Sequence, residues 1–328
     1  MYHVAIVGAT GLVGSQFLQK LEEVNFPIKS IRLLASSQSA GKTICFQGEE
    51  IIVEELKEDS FQGIDIALFS AGGEMSRHFA PIAVESGAVV VDNSSCWRQD
   101  PSVGLVVPEV NFDDVNMNRL IANPNCSTIQ SILPVKAIHD AFHVTRIHYN
   151  TYQAVSGSGM KGIRDLEQTQ NNEEPIFYPY NISKTCIPEI DVAMDNFYTK
   201  EEMKMVWETR KMLHEPNLPI SATCVRVPVL NSHAVSIALE CEKPFTLGAV
   251  EKVLKDFPGI VVVNDIAHHQ YPTSMHSNGN DLVYVGRIRR DLACENGILL
   301  YVVGDNIRKG AASNAVQIIE RMVKEHLL

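Results

Sequence analysis

A glycine-rich turn between a strand-like run and a helix-like run restricts this chain more than any other feature. Val4-Ala5-Ile6-Val7 is short, apolar and β-branched, and reads as a buried strand. Leu12, Phe17, Leu18 and Leu21 recur at helical spacing over 12–21. Between them, GATGLVG at 8–14 supplies glycines for a tight turn, where a pyrophosphate can approach the backbone N–H groups of a helix N-terminus. The spacing is GxxGxxG rather than GxGxxG, and an ordinary strand-to-helix turn is the alternative. With both flanks correct, a dinucleotide site on Gly8, Thr10, Gly11, Leu12 and Val13 is the better reading.

The alternation continues with strands expected at 31–35, 64–69 and 88–91 and a helix at 75–86. Strands and helices in that rhythm build a doubly wound, Rossmann-like parallel sheet. Ser70-Ala71-Gly72-Gly73 follows one of these strands and adds a second close-approach loop, with Gly72 a further cofactor contact. An NAD site usually carries Asp or Glu at the end of the second strand, for the ribose 2′-OH. Here the stretch at 35–42 has no acid. It offers Ser36, Ser37, Gln38, Ser39 and Lys42, which suits the 2′-phosphate of NADP(H), although a plain polar loop has the same composition.

After about residue 126 the rhythm changes. A helix is expected at 127–142, then strands at 146–155, 224–229, 234–240, 283–289 and 298–303 with few helices between the later ones. That is an α+β pattern with a mixed or largely antiparallel sheet. Residues 169–198 are polar and rich in Asn and Pro and read as a long excursion; 309–328 has a helical pattern. The length of 328 residues suits two domains, and 45% hydrophobic residues supply their cores.

A net charge of −11 argues against nucleic acid as the main partner, since phosphate binding needs a basic face. No apolar run approaches the ~18 residues of a membrane span, and the N-terminus has no secretory features, so a cytoplasmic protein is expected. Seven scattered cysteines without a C-x-x-C pair signal neither a disulfide framework nor a zinc site. His268-His269 has no spaced third ligand, so no metal is expected. Cys126 differs from the other six because it opens the helix at 127–142. A helix N-terminus lowers a thiol's pKa and stabilises an oxyanion, which makes Cys126 the nucleophile candidate; a buried cysteine beside a helix cap is the equal alternative. His233 lies where a strand breaks into a polar turn, and a distant Cys–His pair is what thiol-based acyl transfer requires.

Together these motifs resemble the aspartate-β-semialdehyde dehydrogenase family, and its bacterial branch in particular. GATGLVG at 8–14, PNCSTIQ at 124–130, TYQAVSGSGMKG at 151–162, EEMK at 201–204, CVRVPVLNSH at 224–233, VGRIRRD at 285–291 and GDNIRKGAA at 304–312 occur in the family's order. The resemblance implies a glyceraldehyde-3-phosphate dehydrogenase-like architecture: an NADP-binding domain over 1–125 with the helix at 309–328 packing back on it, and a catalytic and dimerisation domain over 126–308. It implies a homodimer or dimer of dimers. The implied activity is NADP-dependent reductive dephosphorylation of L-4-aspartyl phosphate to L-aspartate 4-semialdehyde, in lysine, threonine and methionine biosynthesis.

By position, the resemblance makes Cys126 the acyl-forming thiolate, His233 the acid/base and Gln153 the residue that orients substrate. Arg226 corresponds to the arginine that grips the substrate carboxylate, Glu201 to the contact with its amine, and Lys204 and Arg98 to the phosphate ligands. Asn125 lies beside the nucleophile, and Ser156, Gly157 and Asn306 join the cofactor contacts. Two departures stand out: Gln38 where relatives often have Arg, and Ala234 where Ser is common after the histidine. A related acyl-phosphate reductase, such as N-acetyl-γ-glutamyl-phosphate reductase, would not need the Glu201 contact. A silent nucleotide-sensing Rossmann protein would need neither Cys126 nor Arg226.

Overall fold

The computed structural model describes residues 1–115 and 119–328. The chain divides into two compact units, one formed by Met1–Pro124 with Ala311–Leu328 and the other by Asn125–Gly310.

In the first unit, among the described residues, eight strands form one sheet. Their order is Thr43–Phe46, Glu49–Glu55, Ile28–Ala35, Tyr2–Val7, Ile66–Phe69, Val89–Asp92, Leu120–Ala122 and Gly104–Leu105. All pairings are parallel except the hairpin of the first two. Residues 4–7, 66–69 and 89–91 are buried throughout, which is why they read as unbroken apolar runs rather than as alternating ones. The hairpin gives no such signal, because its strands are mostly exposed. The three-residue strand Leu120–Ala122 is too short to show a period.

The C-terminal helix is shorter than its sequence pattern. It spans Ser313–Lys324 and follows a π-helical turn over Arg308–Ala312. Ala315, Val316, Ile318, Ile319 and Met322 bury into the core around Val4, Ile6, Phe17 and Leu33. Asn314 Nδ2 donates to the Val106 carbonyl at 2.9 Å and to Asn123 Oδ1 at 2.7 Å. The Arg321 guanidinium lies over the Phe112 ring, 4.0 Å from its centroid.

The second unit holds a six-stranded mixed sheet in the order Ile220–Arg226, Val144–Gln153, His233–Cys241, Gly297–Gly304, Val283–Arg290 and Ile260–Val262. The two outer pairings are parallel and the three inner ones antiparallel. Helices Cys126–Phe142, Lys200–Leu213 and Leu247–Asp256 pack on it. Residues along His233–Cys241 alternate strictly between buried and half-exposed, so one face packs and the other stays partly open. On this unit a cleft of about 400 Å³ is lined by Tyr152, Tyr271, Arg287 and Tyr301.

Two strands end earlier than their sequence pattern. One stops at Gln153, where a 3₁₀ turn over Val155–Ser158 begins, and the other at Arg226, two residues before Pro228 removes a backbone donor. Between 171 and 199 there is no helix or strand beyond two isolated bridges, Ile187 with Arg226 and Ala193 with Thr199. This excursion is nonetheless anchored: the buried Asp165 carboxylate accepts the backbone N–H groups of Ile176, Phe177 and Tyr178.

Candidate active site

Cys126 is the first residue of its helix, one position earlier than the sequence pattern suggests. Asn125 is the N-cap, and its Oδ1 accepts from the N–H groups of Ser127 (3.0 Å) and Thr128 (3.3 Å). That leaves the Asn125 amide nitrogen to point elsewhere, and it donates to Glu201 Oε1 at 2.9 Å. The Asn125 backbone N–H donates to Glu208 Oε2 at 2.6 Å. A Cβ on Gly310 would stand 3.0 Å from the Cys126 Cβ, so the chain passes the thiol closely where glycine permits it.

Glu201 is the hub of the site. Its Oε1 also accepts from Gln153 Nε2 at 3.0 Å, and its Oε2 accepts from Lys204 Nζ at 2.9 Å. Burial pushes this carboxyl up, but the charge and hydrogen bond of Lys204 and the bonds from Gln153 and Asn125 outweigh it and hold the group at about 2. Lys204 moves the opposite way: burial pulls it down, while Glu201 and Asp191 raise it above its ordinary value. Glu201 and Lys204 lie three apart on Lys200–Leu213, hence on one face.

The sheet register brings three further residues to one end of the unit. Arg226 is the parallel partner of Gln153, and the antiparallel partner of Tyr152 is Ala234, next to His233. Arg226 is buried; its Nη1 donates to the Ala154 carbonyl at 2.7 Å, and its Nε has no hydrogen-bond partner. His233 is fully buried, and its Nδ1 accepts the Ala154 backbone N–H at 3.0 Å. A backbone N–H can only donate, so the neutral imidazole carries its proton on Nε2, an atom with no partner. Burial first and the Arg226 charge second, opposed by Glu201, draw this imidazole down to about 3, so it is neutral at physiological pH.

Gly157 packs on both groups. A Cβ there would lie 3.0 Å from Arg226 Nη1 and 3.1 Å from His233 Nε2. Ser156 and Asn306 shape the turn before His233: Ser156 Oγ donates to Asn231 Oδ1 at 2.9 Å, and Asn306 Oδ1 accepts the Ser232 N–H at 2.9 Å.

Arg98 belongs to the first unit, where it is buried and its Nη2 donates to the Asn93 carbonyl at 2.9 Å. The same unit has a cleft of about 420 Å³ lined by Gly8, Thr10, Gly11, Ser36, Ser37 and Ser70 among others. Gly8 has φ +87°, and a Cβ on it would fall 2.9 Å from the Ser70 carbonyl, so the two glycine-rich turns touch. The helices that begin after Gly11 and Gly72 have no side-chain cap. Ser70 Oγ is buried and has no partner. Open helix N-termini and an orphaned hydroxyl around a cleft fit the pyrophosphate end of a dinucleotide.

Ser39 Oγ lies 3.4 Å from Thr10 Oγ1 and 3.5 Å from Lys42 Nζ, so the lysine does bend towards the loop. Leu12, Val13, Gln38, Ser39 and Gly72 do not line the cleft. One wall residue has no trace in the loop itself: Glu55, brought in as the strand partner of Ala35 and ion-paired with Lys57 at 3.2 Å.

Sequence reasoning missed Glu208, Asp191 and Tyr178. Glu208 follows Glu201 by seven residues, two helical turns, and that spacing was a usable signal. Asp191 and Tyr178 come from the excursion, which has no period to read. Tyr178 Oη donates to Ser158 Oγ at 2.9 Å. Away from the site, His139, His143 and Glu215 bring ligand-type atoms within 4.8 Å of one another. His139 Nδ1 accepts the Val144 N–H at 3.3 Å, which leaves the proton on the nitrogen a metal would need.

Residues 3–117 match the family described as "Semialdehyde dehydrogenase, NAD binding domain", and 135–309 match "Semialdehyde dehydrogenase, dimerisation domain". The chain is 51% identical to an aspartate-semialdehyde dehydrogenase of Aquifex aeolicus, over all of this chain and 99% of the relative. The crystal structure of aspartate semialdehyde dehydrogenase II from Vibrio cholerae superposes with TM-score 0.95 at 46% identity, covering 99% of each chain. A structure of the Vibrio enzyme described as complexed with ASA gives TM-score 0.95 at 45% identity, covering 99% of this chain and 98% of that one.

Proposed function

The chain belongs to the aspartate-semialdehyde dehydrogenase family, and we propose that it converts L-4-aspartyl phosphate to L-aspartate 4-semialdehyde through a thioester on Cys126. The observation that carries this reading is the thiol at a capped helix N-terminus, next to an Asn125–Glu201–Gln153 hub. In that position the helix dipole favours the thiolate. The thiolate attacks the acyl carbonyl, the bond to the phosphate oxygen breaks, and the leaving phosphate is met by Lys204. Arg226 takes the substrate α-carboxylate in a two-pronged contact, for which its unpartnered Nε is suited. Glu201 takes the α-ammonium, and Gln153 and Asn125 hold Glu201 still.

A nicotinamide nucleotide would be held along Gly8, Thr10, Gly11, Ser36 and Ser37, with Ser39 beside Thr10, and when bound would supply the hydride that reduces the thioester. His233 then acts as a neutral donor: its Nε2–H stabilises the oxyanion. Collapse of that oxyanion breaks the C–S bond, releases the aldehyde and restores the thiolate, so the imidazole need not become charged. This narrows the acid/base role implied by the sequence to hydrogen-bond donation.

The nucleotide is NADP(H), with a modest preference. Three serines and Lys42 suit a 2′-phosphate, whereas Gln38 brings no charge and Glu55 stands in the cleft wall. The reverse assay with semialdehyde, phosphate and either nucleotide reads both the activity and the preference. Phosphate-dependent reduction is expected, with higher kcat/KM for NADP than for NAD. Gln38→Arg should improve NADP affinity by about fivefold, ~1 kcal/mol, and leave NAD nearly unchanged. A wild type that prefers NAD outright would remove this reading of the loop.

The half-open face of the six-stranded sheet, with Tyr152 and Tyr301 at 6.2 Å between ring centroids, is where a second copy docks to form the homodimer. We place the enzyme in the cytoplasm, on the scattered spacing of the cysteines in the sequence. No helix among the described residues is long and apolar enough to cross a membrane.

A further inference from the structure

The Lys204 ammonium lies between two carboxylates, and only one of them has a role in the reaction derived above. Asp191 Oδ2 is 2.7 Å from Lys204 Nζ, closer than Glu201 Oε2 at 2.9 Å. The other oxygen of Asp191 accepts the Val192 N–H at 2.9 Å, which fixes the carboxylate's orientation. Asp191 has φ +69°, a left-handed conformation that Asp adopts more readily than most residues. The chain after it is fastened to the start of the helix that carries Lys204. Lys200 N–H donates to the Val192 carbonyl at 2.8 Å, Ala193 bridges Thr199, and Thr199 caps that helix with Glu202 completing the capping box. The excursion thus delivers one carboxylate, in a defined pose, to one lysine.

Glu201 has one oxygen filled in this arrangement and the other shared with Lys204. Oε1 holds Asn125 and Gln153, and Oε2 holds Lys204. A substrate α-ammonium therefore meets Glu201 at Oε2, where it competes with the Lys204 ammonium, cation against cation. A lysine with Glu201 as its sole anchor would be released on a flexible four-carbon stem just when phosphate has to be gripped.

We propose that Asp191 is a positioning residue that tethers Lys204, so that its ammonium stays over the site while Glu201 Oε2 passes to the substrate. Tethered by one charge-assisted bond, the ammonium keeps its other two N–H groups for phosphate oxygens. This rests on the assignment of Glu201 and Lys204 given above.

The test is the steady-state reverse reaction with inorganic phosphate as the varied substrate, in wild type, Asp191→Ala, Asp191→Asn, Lys204→Ala and the double variant Asp191→Ala/Lys204→Ala. Asp191→Ala should raise the phosphate KM by about fivefold or more, with a much smaller change in kcat at saturating phosphate. Asp191→Asn keeps the left-handed turn and an accepting oxygen without the charge, so it should fall between wild type and Ala. In the double variant the phosphate KM should equal that of Lys204→Ala alone, because the tether acts only through the lysine. A purely structural role would instead add its full effect in both backgrounds, and that result overturns the proposal. A raised KM in Lys204→Ala beside an unchanged or lowered one in Asp191→Ala overturns the tether alone. An unchanged KM in Lys204→Ala overturns the assignment of Lys204 and the tether with it.

Discussion

Cys126→Ser should lower kcat by about a thousandfold or more while nucleotide affinity, read by fluorescence titration, stays within about twofold. The substitution changes one atom. It leaves the Asn125 cap, the Glu201 hub and the first-unit cleft in place, so folding and nucleotide binding have no reason to change. What is lost is the thiolate. A hydroxyl is far less acidic than a thiol, and a helix dipole worth up to ~2 kcal/mol cannot close that gap. Residual dehydrogenase activity above about a tenth of wild type would remove Cys126 from the role of nucleophile.

Arg226→Leu should reduce kcat/KM for the semialdehyde by about a hundredfold to a thousandfold, the range set by removing one partner of a buried charge pair. The guanidinium is buried, sits under Gly157 and has an Nε with no protein partner, so a bound carboxylate is what completes its contacts. Leucine also strands the Ala154 carbonyl, and Ala154 holds the His233 ring through its N–H, so part of the loss is positional. Arg226→Lys separates the two effects. Lysine restores charge but not the planar fork, and should recover only a minor fraction of the activity. Phosphate KM should change little in either variant, because the phosphate ligands are other residues. A wild-type semialdehyde KM in Arg226→Leu would show that the carboxylate binds elsewhere.

The parts of this molecule that are legible in its sequence are those with a local physical signature. The strand at 4–7 and the helix that follows Gly11 are marked by apolar periodicity, and the turn between them by glycines whose side chains would clash. Cys126 is marked by its place before a helical run. Contacts made by long-range folding leave no such trace. Asp191 reaches Lys204 thirteen residues away, out of a segment without periodic structure. Glu55 enters the nucleotide cleft because its strand pairs with Ile28–Ala35, a register that residues 35–42 do not encode. The His233 tautomer depends on a single backbone N–H, that of Ala154, seventy-nine residues earlier. The hairpin over 43–55 was missed for a related reason: its strands bury too little for hydrophobic patterning to reveal them.

The thioester on Cys126 is the central claim, and a rapid-mixing experiment with semialdehyde and NADP in the absence of phosphate tests it most directly. Hydride leaves the thiol adduct before phosphate is needed, so NADPH should appear in a burst of about one equivalent per active site. The burst should then stall, and adding phosphate should start steady turnover. Continuous NADPH formation without phosphate, or no burst at any enzyme concentration, would contradict the covalent route through Cys126.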